Sequence, residues 1–395
     1  MAFSARDYYV RLDELEQELK SLAEAVSHDE IARLKLLDLS RQSVASLESP
    51  VEIISRMYFE PHQSACLRAV LEMGLPEAVI GGAKTAAELA TITKCDEKLI
   101  VRILRPLCCL GMFSEEGFET YGATKMTSAL TSPKLAGGFK FMYDQAAACC
   151  LHLTEYLVKT DFEDPKGGCF KSTFNTDLAL FPWLMAHPKM MGNFNDLMAA
   201  QRLARVDWFD YCNVKYILLE GYRGNNTPLL VDIGGNRGYD LEGLKKKFPE
   251  VNGHGKLIVQ DLAPVIADIT DLNEEIVRME YDFFTPQPVK GARAYYMRYI
   301  IHDHSDEIAK QILKNVAAAM TPGYSKLLLF DFVLPDVGAP LLGSLMDVNM
   351  MALLSGKERT KREWTALLDS VGLEVVDFHM CGNISEGLVE ATIKY

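Results

Sequence analysis

The chain has no C-x-x-C pair, and its nine cysteines are an odd number without disulfide or zinc-ligand spacing. Reduced cytosolic thiols are expected, with Cys108-Cys109 and Cys149-Cys150 packed as core in apolar runs. No apolar run reaches the roughly 20 residues a helix needs to span a bilayer, so no membrane association is expected. The first residues, MAFSARDYYVRLDELEQ, carry no apolar signal-peptide core, and an intracellular, cytoplasmic protein is expected. Positive charge is also short: 41 Lys and Arg face 54 Asp and Glu, leaving −13, which argues against a nucleic-acid surface. Internal repeats, low-complexity tracts and clusters of metal-ligating residues are all missing, so neither a repeat architecture nor a metal is expected.

What is present is 395 residues, 49% of them hydrophobic, enough to bury a large core in two domains. Up to about residue 48, Leu12, Leu15, Leu19, Leu22 and Ala25 recur at helical spacing, predicting amphipathic helices that cap the domain or touch another subunit. Ser49-Pro50 opens a further helix, and Thr85 with Glu88 forms a capping box that starts another. A third begins near Lys98, and Pro106 is expected to kink or end it. Segments around Met112–Phe118 and Tyr121–Thr124 read as a two-stranded wing. A helix-turn-helix with a wing suggests DNA binding in a basic protein. In this acidic chain, whose candidate recognition helix is poor in base-reading side chains, residues 1–133 read better as a dimerisation domain.

Residues 134–215 concentrate aromatic and Met side chains, among them Phe139, Phe141, Phe181, Trp183, Phe194 and Met198. Most of these read as core, and a surplus would line an apolar ligand pocket. From Thr227 onward strands alternate with helices: 229–231, 256–260, 277–281, 294–297 and 326–332, then a hairpin of 373–379 with 387–393. The expected fold class is therefore α/β. A Rossmann-like doubly wound sheet in 134–395 follows an all-helical, winged-helix-like domain in 1–133.

In that arrangement the chemistry falls at strand ends. The turn Gly234-Gly235-Asn236-Arg237-Gly238 follows the first strand and opens a helix, bringing backbone close to a nucleotide-like ligand. Asp261 ends the second strand, placed to accept from ribose hydroxyls or, equally, to cap a helix. Asp282 ends the third, and Phe283 and Phe284 after it offer an aromatic wall beside an adenine. His302 lies just past the fourth strand, where a general base would sit. Asp303 beside it reads as a cap for the next helix, with Ser305-Asp306-Glu307 as a rival start. The other seven histidines read as surface or core.

These residues also carry a resemblance. VDIGGNRG, QDLAPVI, YDFFTPQP, YYMRYIIHDHSDE, LLLFDFVLPD and GKERTKREWTALLDSVGL occur in the order seen in plant- and fungal-type small-molecule O-methyltransferases. The helical front half is similar to that family's winged-helix dimerisation domain, implying a homodimer. The resemblance implies S-adenosyl-L-methionine as cofactor, held by Gly234, Gly235, Gly238, Asp261, Asp282 and Phe283, with Arg298 at the family's Lys/Arg position. It implies His302 as general base, Asp331 and Glu358 as carboxylates that orient it, and Phe194, Met198, Met346 and Met350 lining the acceptor pocket. It implies a small-molecule substrate and no metal. Three residues depart from the family pattern: Asn236 for a glycine, His304 for a Trp, and Asp331 for the commoner Glu.

The leading expectation is methyl transfer to a hydroxyl of an aromatic or enolic secondary metabolite. A second is the chemistry of fungal proteins of this fold that bind S-adenosyl-L-methionine without consuming it. Those proteins catalyse dehydration and pericyclic ring formation on pyridone-type polyketides. A third is a non-catalytic dimeric binding protein, which would be indifferent to changes at His302.

Overall fold

The computed structural model describes residues 5–26, 29–165, 167–203, 206–224, 227–380 and 386–394. It divides into two compact units, the break falling after Thr127.

In the first unit three helices, Ala5–Ala25, Glu30–Leu47 and Pro50–Met73, come first. Ser49 and Glu52 exchange capping hydrogen bonds at the start of the third, and Gly74 closes it in the left-handed conformation at φ 69°. Leu15, Leu19 and Leu22 are exposed; the side chain of Leu12 lies outside those described. Strand β1 (Lys84–Thr85) precedes the helix Ala86–Thr93, whose Thr85–Glu88 capping box is formed. The helix Glu97–Cys109 leads into β2 (Phe113–Gly117) and β3 (Thr120–Ala123), which pair in the order β1-β3-β2. Of the two outcomes expected at Pro106, a kink or an end, the helix does not end there but runs on to Cys109. The backbone bond that proline removes is one, whereas Leu104 and Leu107 on the same turn are fully buried and hold it in register.

In the second unit five parallel strands form the sheet: β4 (Leu230–Ile233), β5 (Leu257–Asp261), β6 (Ile276–Glu280), β7 (Ala294–Arg298) and β8 (Lys326–Leu334). A short strand, β9 (Arg359–Thr360), pairs with the end of β8. The antiparallel hairpin β10 (Leu373–Met380) and β11 (Glu386–Ile393) completes the edge, giving β10-β11-β8-β7-β4-β5-β6. Side chains alternate between two apolar layers. Val231, Ile233, Tyr295, Met297, Leu327 and Leu329 face one, and Leu230, Val259, Tyr296, Leu328 and Phe330 face the other. The chain leaves β4 toward β5 and β6, then returns to β7 on the opposite side of β4. That reversal opens a crevice at the carboxyl ends of β4 and β7, the place where such sheets bind ligands.

Helices between residues 133 and 203 form a third apolar cluster. Phe141, Cys149, Cys169, Phe170, Leu180 and Leu184 pack with Ala352 and Leu353 of the helix Leu341–Leu354. Trp208 and Phe209 belong instead to the core under the sheet. Among the described residues no helix is long and apolar enough to cross a membrane.

Candidate active site

The glycine turn leaves β4 with Gly234 at φ +71°, Asn236 at φ +49° and Gly238 at φ +75°. A Cβ on Gly234 would stand 2.6 Å from Ile300 Cδ1, and one on Gly235 would stand 2.5 Å from the Asp232 carboxyl carbon. Both positions therefore demand glycine, for backbone conformation at the first and for space at the second. Asn236 keeps the left-handed turn that glycine would take, as its short amide side chain permits. The N–H groups of Gly234 and Gly235 donate to the Gln260 carbonyl at 2.8 and 3.1 Å, tying the turn to β5.

Asp261 is not a helix cap. Its Oδ2 accepts from the Asn236 N–H and its Oδ1 from the Leu262 N–H, both at 2.8 Å, so the carboxylate sets the shape of the glycine turn. Burial still pushes its pKa up against those two bonds. Asp232, the last acidic residue of β4 and missed as a candidate, is 1% exposed, and its Oδ2 has no hydrogen-bond partner. Burial, with Asp240 nearby, holds it well above the usual carboxylate range. An orphaned buried carboxyl aimed at a cradle without side chains fits a cofactor carrying a cationic group. Its only sequence signal was its place at a strand end.

Arg298 is not a free cation. Its guanidinium donates to Asp240 at 2.9 Å and to Asp207 at 3.1 Å, and Arg202 joins both carboxylates. Asp240 lies in the first turn of the helix Tyr239–Lys247, so Arg298 pins the helix that follows the glycine turn. Asp282 accepts the Phe284 N–H at 3.0 Å. Phe283, Phe284 and His304 form a three-ring wall, the histidine centroid 5.9 Å from each phenylalanine. Burial, with His302 and Arg359 nearby, lowers the His304 pKa to about 4, so the ring is neutral and serves as an aromatic face.

After β7 the backbone passes through Tyr299 in the left-handed region, φ +52°, and into the turn Ile301–Asp303. Such a conformation costs a bulky residue on the order of 1–3 kcal/mol and is found mostly at functional sites. Here it directs His302 inward, its ring tilted by 33° against Tyr299 at 5.3 Å between centroids and 7% exposed. Its Nδ1 lies 2.8 Å from Glu358 Oε1 and 3.8 Å from Asp331 Oδ1, and its Nε2 lies 3.4 Å from Asp303 Oδ1. Asp303 is therefore not a helix cap; the next helix, Asp306–Ala317, starts after Ser305. Asp331 is too far for a hydrogen bond, as its side chain, one methylene shorter than Glu, leads one to expect. Both its oxygens are buried without a partner, and burial pushes its pKa to about 8.

Burial alone would lower the pKa of His302. The carboxylates of Glu358, Asp303 and Asp331 outweigh it and raise the value to about 10. Asp303 in turn is pushed by burial to about 6. With Glu358 hydrogen-bonded at Nδ1 and Asp303 near Nε2, a ring raised to about 10 is an imidazolium at neutral pH. The surrounding turn is held from the KERT segment. Glu358 N–H donates to Asp347 at 2.8 Å, Lys357 N–H to the His302 carbonyl at 2.9 Å, and a Cβ on Gly356 would collide with that carbonyl.

Of the residues expected to line an acceptor pocket, Phe194 packs edge-on against Phe141 and Phe181, at 5.2 and 5.8 Å, and Met350 is buried. Met198 and Met346 are half-buried on the same two helices, Pro188–Leu203 and Leu341–Leu354. Among the described residues no cluster of His, Cys, Asp and Glu could hold a metal ion.

The glycine turn carries one prediction. Gly235→Val is expected to abolish binding of S-adenosylhomocysteine, read by calorimetry, because the new side chain must displace the Asp232 carboxyl or enter the cradle. Undiminished binding would refute this placement of the cofactor.

An O-methyltransferase domain matches residues 159–374, and an O-methyltransferase dimerisation domain matches residues 57–133. The O-methyltransferase penC of Penicillium thymicola is 31% identical over 387 residues, covering 96% of this chain and 95% of penC. The solved structure of a pericyclic reaction enzyme superposes with TM-score 0.88 at 27% identity, over 98% of this chain and 100% of that one. LepI in complex with S-adenosylmethionine does so with TM-score 0.89 at 28% identity, over the same shares. With a domain match across more than half its length and a relative this similar almost end to end, the chain belongs to the O-methyltransferase family.

Proposed function

We propose that this protein is a cytoplasmic, homodimeric S-adenosyl-L-methionine-dependent O-methyltransferase acting on a hydroxyl of an aromatic or enolic secondary metabolite. The observation that carries the reading is His302, bonded through Nδ1 to Glu358 at the mouth of the β4–β7 crevice, next to a glycine cradle with an orphaned carboxyl. The cofactor supplies an electrophilic methyl group on a sulfonium. Gly234, Gly235 and Gly238 leave it room, Asp232 meets its ammonium and Asp261 its ribose hydroxyls. Asp282, Phe283 and His304 meet the adenine, while Arg298 steadies the helix behind. Phe194, Met198, Met346 and Met350 hold the acceptor ring, and residues 1–133 serve dimerisation.

In this reading neutral His302 takes the acceptor's hydroxyl proton at Nε2 as the oxygen attacks, and Glu358 holds the resulting imidazolium in place. Holding acceptor and donor in line supplies much of the remaining acceleration. The raised pKa favours one second reading. A resident imidazolium flanked by carboxylates is a hydrogen-bond donor and acid, which suits dehydration or pericyclic closure with the cofactor unconsumed.

The test is incubation with S-adenosyl-L-methionine and a panel of phenols and 4-hydroxy-2-pyridones, read by mass spectrometry. Products one methyl group heavier, with S-adenosylhomocysteine released, are expected. Products isomeric with the substrate or lighter by one water, with the cofactor intact, would replace the first reading by the second. No turnover of any acceptor would count against both.

A further inference from the structure

The helices between Pro133 and Leu203 bury one amide oxygen with no hydrogen-bond partner. The helical run from Pro133 to Lys159 passes through one π-turn, Met142–Ala147. Such turns give up regular helical hydrogen bonding and are frequent at functional sites. Gln145 sits on this one, 3% exposed. Its Nε2 donates to the Met190 sulfur at 3.3 Å, while its Oε1 is buried without any hydrogen-bond partner. Reversing the amide would set its oxygen against the Met190 sulfur, two acceptors face to face, so the orientation follows from the contact. An unpaired buried carbonyl is a standing cost, and native structures keep few of them without a reason.

The surroundings point to that reason. Met190 lies on the helix Pro188–Leu203, which also carries Phe194 and Met198. The helix Leu341–Leu354, with Met346 and Met350, packs against both the π-turn and the turn Ile301–Asp303 that holds His302. Gln145 therefore stands among the elements assigned to the acceptor pocket, and one helix links it to the reacting end. Phe141 and Cys149, on either side of it in sequence, are fully buried in an apolar cluster, so an amide there is an exception that packing does not need.

We propose that Gln145 Oε1 is a substrate-binding group that accepts a hydrogen bond from a second donor on the acceptor molecule. The donor is a ring N–H or a phenolic O–H lying away from the hydroxyl that reacts at His302. This rests on the methyltransferase reading for the molecule that fills the pocket, and it narrows that molecule to a ring with two donors. Rejection of analogues lacking the donor follows because binding them leaves the carbonyl buried and unmet.

The test measures binding to wild-type protein loaded with S-adenosylhomocysteine, using two matched pairs: 4-hydroxy-3-phenyl-2-pyridone with its N-methyl derivative, and resorcinol with 3-methoxyphenol. The donor-bearing member of at least one pair is expected to bind tighter, on the order of tenfold or more. Gln145→Met should erase the preference by weakening that member alone, with S-adenosylhomocysteine affinity unchanged. A preference of steric origin would survive in Gln145→Met and overturn the proposal, as would equal binding, or no binding, of both pairs by wild type. Should Gln145→Met fail to fold, Gln145→Glu retains an acceptor and must retain the preference; its loss would also overturn it. The two readings fail separately. His302-dependent methyl transfer without donor preference removes only the role of Gln145. Donor preference with transfer indifferent to His302 removes only the role of the base.

Discussion

Replacing His302 by Ala is expected to lower kcat for methyl transfer by about a hundred- to ten-thousandfold, the usual span for a positioned general base. Affinity for S-adenosylhomocysteine should stay as it was, because the glycine turn, Asp232 and Asp261 do not depend on the ring. Steady-state kinetics beside calorimetry separates the two, and a variant that retains wild-type kcat would remove His302 from the chemistry. The pH profile should carry the same signature. With the His302 pKa near 10, only a small neutral fraction exists at pH 7. The rate should therefore climb about tenfold per pH unit until that pKa is reached.

Glu358→Gln removes the anion on Nδ1, and the apparent pKa should fall, shifting the climb to lower pH. A profile that is flat in wild type from neutral to alkaline pH would argue against a base held as imidazolium. The same linkage acts on folding. His302 is raised above its unfolded value of 6.5, so the stability it draws from its carboxylates is complete below that pH and lost as pH rises through about 10.

Arg359→Met is expected to destabilise the second unit by about 3 kcal/mol, read as a lower urea midpoint. Arg359 is fully buried. Its guanidinium donates to Asp306 at 2.8 and 3.0 Å, to the Ile301 carbonyl at 3.1 Å and to the His304 carbonyl at 2.9 Å. Those carbonyls bracket His302, so the arginine closes the turn that presents it. Breaking a buried pair usually costs about 3–5 kcal/mol. The low end applies because Asp306, 43% exposed, regains water once the arginine is gone. Arg359→Lys should rescue little of the loss, since one ammonium cannot reach acceptors spread around a planar fork. A midpoint unchanged in Arg359→Met would mean that β9 and its neighbours hold the turn without it.

Several of these residues were legible before the structure, and for identifiable reasons. Strand periodicity and glycine spacing located the β4 turn, because a tight reversal into a helix leaves few residue choices. His302 stood out by its place just past a strand. Glu358 came only from resemblance, as 56 residues separate it from the ring it touches. Asp331 comes from the same resemblance, and its departure from the commoner Glu already signals the shortfall in reach: at 3.8 Å it makes no bond to His302. Asp303 had two readings, and only the start of the helix at Asp306 decided between them. Local propensity leaves Pro106 to kink or end its helix, because it counts one lost hydrogen bond and not the burial of Leu104 and Leu107, with which the helix continues to Cys109.

By itself the sequence determined the alternation of strands and helices, the two-part organisation, the glycine cradle and the acidic residues at strand ends. All of these follow from periodicity and backbone conformation, which act over a few residues. The tertiary structure alone decided which charges meet. Three carboxylates from the His302 turn, β8 and the KERT segment converge on one imidazole, Arg298 is taken up by Asp240 and Asp207, and Asp232 and Gln145 are left buried with an oxygen unmet. The reason is physical. Desolvation and Coulomb interaction depend on distance and burial in space, and neither is encoded in the spacing of residues along the chain.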